Sequence, residues 1–136
     1  MKAAIVIMLL LLIGCIKENP VNETITAEDI QIQKGLLAIE DGKTIRRFTM
    51  TVEKFKFTPM IIQVKKGETV RINLTSLDAF HGFYLEEFEV NEKLDPGESR
   101  IIEFIPHKRG IFIWRSNVFS GGGYNAMRGQ IIVEEP

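Results

Sequence analysis

The chain has 136 residues, of which 45% are hydrophobic and 26% charged, and this length is enough for one globular domain of ordinary size. Its 17 Lys and Arg residues are interleaved with 18 Asp and Glu residues, for a formal net charge of -1. The absence of like-charge blocks from the sequence argues against a nucleic-acid-binding protein, and we expect no nucleic-acid partner.

The N-terminus predicts a lipoprotein signal peptide. Residues 1–14 read MKAAIVIMLLLLIG, a single Lys followed by an apolar run of the length of a signal-peptide core. The run ends in Leu12-Ile13-Gly14-Cys15, which resembles the lipobox of secreted lipoproteins, in which the Cys is acylated and becomes the mature N-terminus. We therefore expect Cys15 to be the lipidation site. The chain would then be anchored by lipid to an extracytoplasmic membrane surface, such as the outer face of the cytoplasmic membrane.

Cys15 is the only cysteine of the chain. If it is acylated, the mature domain contains no thiol, and it can form neither a disulfide nor a thiolate metal site. The alternative interpretation is an incidental thiol at the end of an uncleaved N-terminal helix. Both interpretations place the remaining chain outside the cytoplasm.

Two segments precede the main β-rich part. Residues 15–26 form the lipid anchor and a polar, Pro-containing tether with no sustained apolar period. Residues 27–44 are expected to form an N-terminal edge segment. Within it, residues 30–33 alternate like a strand, while residues 26–29 have the composition of a helix cap.

From Ile45 to the C-terminus, short apolar or alternating runs predict β-strands separated by turn signals rich in Gly, Pro and charged residues. The predicted strands are Ile45–Val52, Ile61–Val64, Val70–Leu74, Phe83–Val90, Ile101–Ile105, Ile111–Trp114 and Gly129–Val133. This spacing is typical of an all-β sandwich, and we assign residues 45–136 to one such domain.

Several segments of this domain resemble the copper-A domains of cytochrome c oxidase subunit II and nitrous oxide reductase. The matching segments, in the family's order, are Phe57-Thr58-Pro59, residues 64–70 (VKKGETV), residues 74–83 (LTSLDAFHGF), Leu94-Asp95-Pro96-Gly97 and Met127-Arg128-Gly129. The resemblance implies a cupredoxin-like Greek-key β-sandwich.

The same resemblance implies a degenerate metal site. The family's copper loop has the form Cys-x3-Cys-x3-His-x2-Met, with a further His upstream and one backbone carbonyl ligand. The corresponding positions here are Ser116, Ser120, Tyr124, Met127, His81 and the carbonyl of Val118. Ser116, Ser120 and Tyr124 are therefore lost ligand positions.

The lost positions carry the chemistry of the centre. Two deprotonated, polarisable thiolates bridge the two copper ions, and a neutral serine hydroxyl cannot replace them. A phenol with a pKa of about 10 is likewise a poor substitute for an imidazole.

We expect no cofactor. Copper held by His81, Met127 and the backbone of Val118 is the alternative, with Cu(I) the ion that imidazole and thioether suit best. Without copper, His81 is expected to be a surface or half-buried imidazole hydrogen-bonded to the loop, and Met127 to pack in the core.

No catalytic residues are predicted. Two serines near a His invite a nucleophilic mechanism, but the sequence has no nucleophile elbow, and the family places no acid beside His81. Asp78 is expected only to support the loop. His107 is expected to be a solvated turn residue.

The aromatic residues are expected to form the sandwich core. They are Trp114, Phe55, Phe57, Phe80, Phe83, Phe88, Phe104 and Phe112.

The leading hypothesis is a non-redox binding or accessory module whose Ser116–Met127 loop face contacts a protein partner. The alternative is an electron-transfer or copper-handling protein with a residual copper site, associated with a respiratory oxidase or reductase. In neither case is the chain expected to be an enzyme by itself; at most it is an accessory subunit of an oxidoreductase.

Overall fold

The alternation of apolar and polar residues forms β-strands throughout the part of the chain that the computed structural model describes, residues 31–136. The predicted signal peptide, Cys15 and the tether lie outside the described residues. The strands are β1 Ile32–Gln33, β2 Leu36–Glu40, β3 Lys43–Glu53, β4 Lys56–Thr58, β5 Ile61–Lys65, β6 Thr69–Ser76, β7 His81–Leu85, β8 Val90–Leu94, β9 Ser99–Phe104, β10 Gly110–Arg115 and β11 Arg128–Glu134. Two 3-10 turns, Glu86–Phe88 and Tyr124–Ala126, complete the secondary structure.

The strands form two sheets, which confirms the expected all-β sandwich. One sheet has the order β1-β5-β11-β10-β7-β8, and the other has the order β2-β3-β6-β9, with β4 also paired to β3. Sequence neighbours are often not sheet neighbours, because the chain crosses from one sheet to the other. Within residues 31–136, no helix is long and apolar enough to cross a membrane.

The strand predictions need two corrections. The sequence predicts a single strand over Phe83–Val90, but β7 ends at Leu85, the 3-10 turn Glu86–Phe88 follows, and Val90 begins β8, which pairs with β7 in antiparallel fashion. β4 and the rest of β8 were not predicted. Glu89 adopts a left-handed conformation with φ of 56°, which reverses the chain while Phe88 stays buried. The alternation breaks at Glu86-Glu87, where the buried positions change from Phe83 and Leu85 to Phe88 and Val90, so the sequence pattern itself marks the turn.

The N-terminal edge segment is extended where the structure describes it. β1 lies at the edge of the six-stranded sheet, and β2 lies at the edge of the other sheet. A two-residue turn joins β2 to β3, with Asp41 and Gly42 both at positive φ. For residues 31–39, the strand interpretation therefore replaces the helical one.

The inner faces of both sheets form one hydrophobic core. Phe83 stacks on Trp114 with ring centroids 5.6 Å apart, and Phe57 meets the Trp114 ring edge-on at 6.2 Å. Among the aromatic residues that were expected to be in the core, Phe57, Phe83, Phe88, Phe104 and Trp114 are buried, and Phe112 is half-buried.

Phe55 and Phe80 contradict the core prediction, since 41% and 42% of their surfaces are exposed. Both lie in loops between strands, so neither is held on an inward-facing strand position. His107 is exposed, as expected, and its ring meets that of Phe88 edge-on at 5.4 Å.

A largely buried ion pair fixes the turn before β6. The two guanidinium nitrogens Nε and Nη2 of Arg46 donate to Glu68 at 2.7 and 2.6 Å, and the backbone N–H of Lys65 donates to the same carboxylate at 3.0 Å. The hydrogen bonds from Arg46 hold the pKa of Glu68 below its ordinary value, against the opposing effect of burial. The carboxylate therefore stabilises the fold in its ionised form.

We expect Glu68→Gln to lower the free energy of unfolding at pH 7 by about 2 kcal/mol, the scale of a charge-assisted hydrogen bond. Because the pKa of Glu68 is depressed in the folded state, its contribution is present at neutral pH. It is lost as the pH falls through the folded-state pKa. Denaturant titrations at pH 7 and pH 3 should therefore show a difference between wild type and variant that shrinks in acid.

Glu103→Gln is the matched control, since Glu103 pairs with Arg71 while 48% of its side chain is exposed. An exposed pair contributes little, so this change should cost less than about 1 kcal/mol. An effect of Glu68→Gln that is equally large at both pH values would contradict the role given to its ionised form.

Candidate functional site

One end of the sandwich gathers the predicted site residues. His81 is the first residue of β7, and the loop from Ser116 to Met127 joins β10 to β11. The backbone N–H of Ser116 donates to the carbonyl of Met127 at 3.1 Å, which closes the base of this loop. The N–H of Gly82, next to His81, donates to Oγ of Ser116 at 3.2 Å. The structure thus places His81 beside the loop, as the resemblance implies.

His81 is fully buried, which corrects the expectation of a surface or half-buried imidazole. Its partner is also different from the one expected, because Nε2 lies 2.7 Å from Oδ1 of Asp78 and not against the loop. Asp78, the one nearby acid, was expected to support the loop, and it is instead the hydrogen-bond partner of the imidazole. The segment after β6 folds back, with Oγ of Ser76 donating to the carbonyl of Ala79 at 2.5 Å, and this brings Asp78 to the imidazole.

Asp78 is held in place from two sides. The backbone N–H of Lys54 donates to its second carboxylate oxygen at 2.8 Å. Partial desolvation opposes ionisation, but the hydrogen bonds from Lys54 and His81 outweigh it and keep the pKa of Asp78 below its ordinary value. An ionised carboxylate can only accept, so the hydrogen of a neutral His81 ring resides on Nε2.

This tautomer leaves Nδ1 of His81 as a bare lone pair. The atom is buried, and it has no hydrogen-bond partner among residues 31–136. A carboxylate on one ring nitrogen and a free lone pair on the other is the arrangement in which proteins hold a metal-ligating imidazole. His81 therefore retains the hydrogen-bonding arrangement of a metal-ligating imidazole.

The two serines turn toward the other remaining donors. Oγ of Ser116 donates to the carbonyl of Val118 at 3.3 Å, and Oγ of Ser120 donates to Sδ of Met127 at 3.7 Å. Ser116, Val118 and Met127 are all buried. The two hydroxyl groups thus donate hydrogen bonds to the carbonyl and the thioether that the resemblance assigns to copper.

Tyr124 fills the remaining ligand position with a packed ring. It begins the 3-10 turn Tyr124–Ala126, is half-buried, and meets the ring of Phe119 edge-on at 5.2 Å. Within the part of the chain that the structure describes, its hydroxyl makes no hydrogen bond. Its aromatic ring contributes packing to the loop.

These donors do not fit a binuclear copper-A centre. The available atoms are one imidazole nitrogen, one thioether and one carbonyl, and none of them can bridge two metals as a thiolate does. Within residues 31–136, no group of three or more His, Cys, Asp or Glu side chains is placed to hold a metal ion.

A set of exposed apolar residues lies on the loops that carry the site, and the sequence reasoning did not identify it. We call it the loop-end cluster; its members Phe55, Leu77, Phe80 and Phe119 have 41%, 54%, 42% and 73% of their surfaces exposed. The Phe55 ring lies directly against the glycines of the loop, since a Cβ on Gly123 would come within 2.6 Å of it. The one signal in the sequence is that each member stands next to turn residues and outside the alternating runs.

Comparison with known proteins agrees with this architecture. The family model described as Cupredoxin-like domain matches residues 4–133. Cytochrome c oxidase subunit 2 of Thermus thermophilus is 31% identical over 81 residues, which are 60% of this chain and 60% of that protein. Nitrous-oxide reductase of Cupriavidus necator is 33% identical over 110 residues, covering 72% of this chain and 17% of the reductase. The chain therefore spans only part of the length of these relatives.

Solved structures show the same fold. A chain of a heme-copper terminal oxidase dimer superposes with a TM-score of 0.64 at 25% identity, over 78% of this chain and 75% of that one. A copper binding protein solved in its apo form gives a TM-score of 0.59 at 26% identity, over 77% of this chain and 99% of that protein. The predicted resemblance to oxidase subunit II and nitrous oxide reductase domains is confirmed.

Proposed function

This chain belongs to the family of cupredoxin-like domains, and from that premise we propose that it is a lipid-anchored, extracytoplasmic docking module without a binuclear copper centre. The observation that carries the proposal is the loop-end cluster, four large apolar side chains exposed on the loops that carry the degenerate site. Large apolar side chains exposed together at one end of a domain are typical of protein-binding surfaces. The partner is a protein of a respiratory oxidase or reductase, the kind of complex to which the relatives belong.

The internal hydrogen bonds of the site support a role that does not depend on metal. Because Ser116 and Ser120 satisfy Val118 and Met127, the loop is held in one conformation by the chain itself. A rigid loop lowers the entropy cost of binding. The loop-end cluster then presents Phe119 and its neighbours in a preformed arrangement.

Photo-crosslinking tests the docking face. A photoreactive phenylalanine analogue at position 119, in the full chain expressed with its own signal sequence, should give a discrete crosslinked product with a protein of the respiratory membrane. The same analogue at Ile111, which is 62% exposed on a sheet face, is the matched control and should not give that product. No product at position 119, or the same product from both positions, would refute docking through the loop end.

A second candidate function, copper handling, is favoured by one observation: the buried Nδ1 of His81 has no hydrogen-bond partner among the residues that the structure describes. This nitrogen and the Met127 thioether are donors that suit Cu(I). A site with micromolar affinity would stabilise the fold by about 3 kcal/mol at a hundredfold excess of metal. An upward shift in melting temperature on adding Cu(I), lost in His81→Ala but kept in His107→Ala, would favour this function. Metal analysis of the protein purified with its native signal, together with its visible spectrum, separates the two candidates directly.

We expect Cys15→Ser to release the protein from membranes or to block its processing. Two acyl chains on Cys15 bury enough methylene groups for stable anchoring, whereas a single chain gives only marginal binding. Membrane fractionation and the size of the mature protein measure the effect. A Cys15→Ser protein of mature size that still fractionates with membranes would contradict the anchor.

A further inference from the structure

Strand β2 is a sheet edge that no other strand of residues 31–136 covers. Three of its five residues are large aliphatics with mostly exposed surfaces: 76% for Leu36, 58% for Leu37 and 77% for Ile39. One side of β2 pairs with β3, and no strand among residues 31–136 pairs with the other side. An exposed, apolar edge strand is a template for pairing with another strand.

The other sheet edges are protected in the ways that natural proteins use. β1 has only two residues. β8 carries Glu92 and Lys93, and β9 carries Arg100 and Glu103. The stretch Leu36–Ile39 contains no charge, no Pro and no bulge, and the one charged residue of β2, Glu40, stands at its end and pairs with Arg71 of its own sheet.

The turn after β2 determines which backbone groups are free. Glu40 and Lys43 close a two-residue turn with both central residues at positive φ, so they form a hydrogen-bonded pair. Hydrogen bonding alternates along an antiparallel pair, and Leu36, Ala38 and Glu40 therefore direct their backbone groups to β3. Leu37 and Ile39 direct their N–H and C=O groups away from the sheet.

We propose that β2 pairs in antiparallel fashion with β2 of a second copy of this chain, about a two-fold axis at Ala38. This register places Leu37 of each copy opposite Ile39 of the other, as hydrogen-bonded apolar pairs. The two Ala38 residues face each other as a non-hydrogen-bonded pair, where strands approach most closely and a small side chain fits best.

Charge favours the same antiparallel arrangement. Lys34 precedes β2, and Asp41 follows it, so the strand has a basic end and an acidic end. Antiparallel pairing brings the basic end of each copy toward the acidic end of the other. A parallel arrangement would place like charges together. The pairing is independent of the docking proposed for the loop end.

A symmetric disulfide tests the register. Opposed Cα atoms in a non-hydrogen-bonded pair lie about 4.5 Å apart, within the range of a disulfide. Under mild oxidation with diamide, the full chain carrying Ala38→Cys should form covalent dimers at least tenfold more than Ile111→Cys does. Wild type, which retains Cys15, gives the background. Dimers no more abundant than in wild type, equal dimers from both variants, or a crosslink to a different protein would each overturn the proposal.

A second variant separates pairing from random collision. Adding Ile39→Lys to Ala38→Cys should abolish the crosslink, because it places a charge within the apolar pairs of both copies. Adding Ile101→Lys, at a residue of β9 that is 57% exposed, should leave the crosslink intact. Circular dichroism melting verifies that each variant is folded. A crosslink that survives Ile39→Lys at full yield would overturn the proposed register.

Discussion

The variant with Ser116→Cys, Ser120→Cys and Tyr124→His is expected to bind two copper ions in one mixed-valence centre. Sequence spacing places these three positions at the intervals of the family's copper loop, and the structure places the two serines beside the remaining donors. Oγ of Ser116 lies 3.3 Å from the carbonyl of Val118, and Oγ of Ser120 lies 3.7 Å from the thioether of Met127. Thiolates at these positions would supply the missing bridges.

The environment of His81 strengthens this expectation. Asp78 holds Nε2, and no group in the described part of the chain occupies the buried Nδ1, so the imidazole needs no change of tautomer to become a ligand. The N–H of Gly82, which donates to Ser116 in the present chain, is placed to donate to a thiolate sulfur instead. Both features lower the cost of restoring the centre.

The opposing costs are smaller than the gain. Replacing Tyr124 by His removes the contact with Phe119 and leaves space in the loop, which costs a few kcal/mol by cavity estimates. Replacing the two serines removes the hydroxyl hydrogen bonds that hold the loop, at about 1 kcal/mol each. A good thiolate-rich site contributes about 10 kcal/mol or more. The free energy of copper binding is therefore expected to exceed these costs.

Copper stoichiometry and electron paramagnetic resonance of the reconstituted triple variant measure the outcome. Two coppers with one spin delocalised over both nuclei is the expected result. Tyr124→His alone, which lacks both thiolates, is the control and should not form the centre. One copper or none in the triple variant, without a delocalised spin, would contradict the loop alignment and the inference of a lost copper-A site.

The sequence predicts the sheets better than the loops. Inward and outward residues alternate along the second half of β3 and along β6 and β11, and side chains alternate between faces in any strand, so the pattern alone locates these elements. The three residues of β4 are too few to show a pattern. Turn conformations such as that of Glu89 depend on tertiary packing, which periodicity does not encode.

The candidate site was likewise predicted only in part. The positions of Ser116, Ser120, Tyr124 and Met127 follow from spacing and resemblance, whereas the pairing of His81 with Asp78 depends on how one loop folds back. Burial of His81 was missed for this reason. The exposure of Phe55 and Phe80 was missed because composition reports how apolar a residue is and not which side of a loop it occupies.

Gly129→Ala is expected to lower the free energy of unfolding by about 3 kcal/mol, the upper end of the usual cost of overpacking. Gly129 stands directly opposite Trp114 in the pairing of β10 with β11. A Cβ on Gly129 would lie 2.2 Å from Cζ2 of Trp114 and 2.7 Å from the carbonyl oxygen of Met60. One of these neighbours is backbone and cannot move aside cheaply.

Trp114 cannot move aside either. It is fully buried, stacked on Phe83 and met edge-on by Phe57, so its displacement would disturb the centre of the core. A loss of about 3 kcal/mol should lower the melting temperature by roughly 10 °C or more in a domain of this size. Thermal unfolding followed by circular dichroism measures it.

Gly122→Ala is the matched control, since among residues 31–136, its two chain neighbours aside, nothing lies within 4 Å of the Cβ position at Gly122. It should change stability by less than about 0.5 kcal/mol. Trp114→Phe, combined with Gly129→Ala, provides the stricter test because the smaller ring makes room for the new methyl group. The double variant should be more stable than the sum of the two single changes predicts, with a favourable coupling of about 1 kcal/mol or more. Strict additivity would mean that the contact between Gly129 and Trp114 is not what makes glycine necessary at this position.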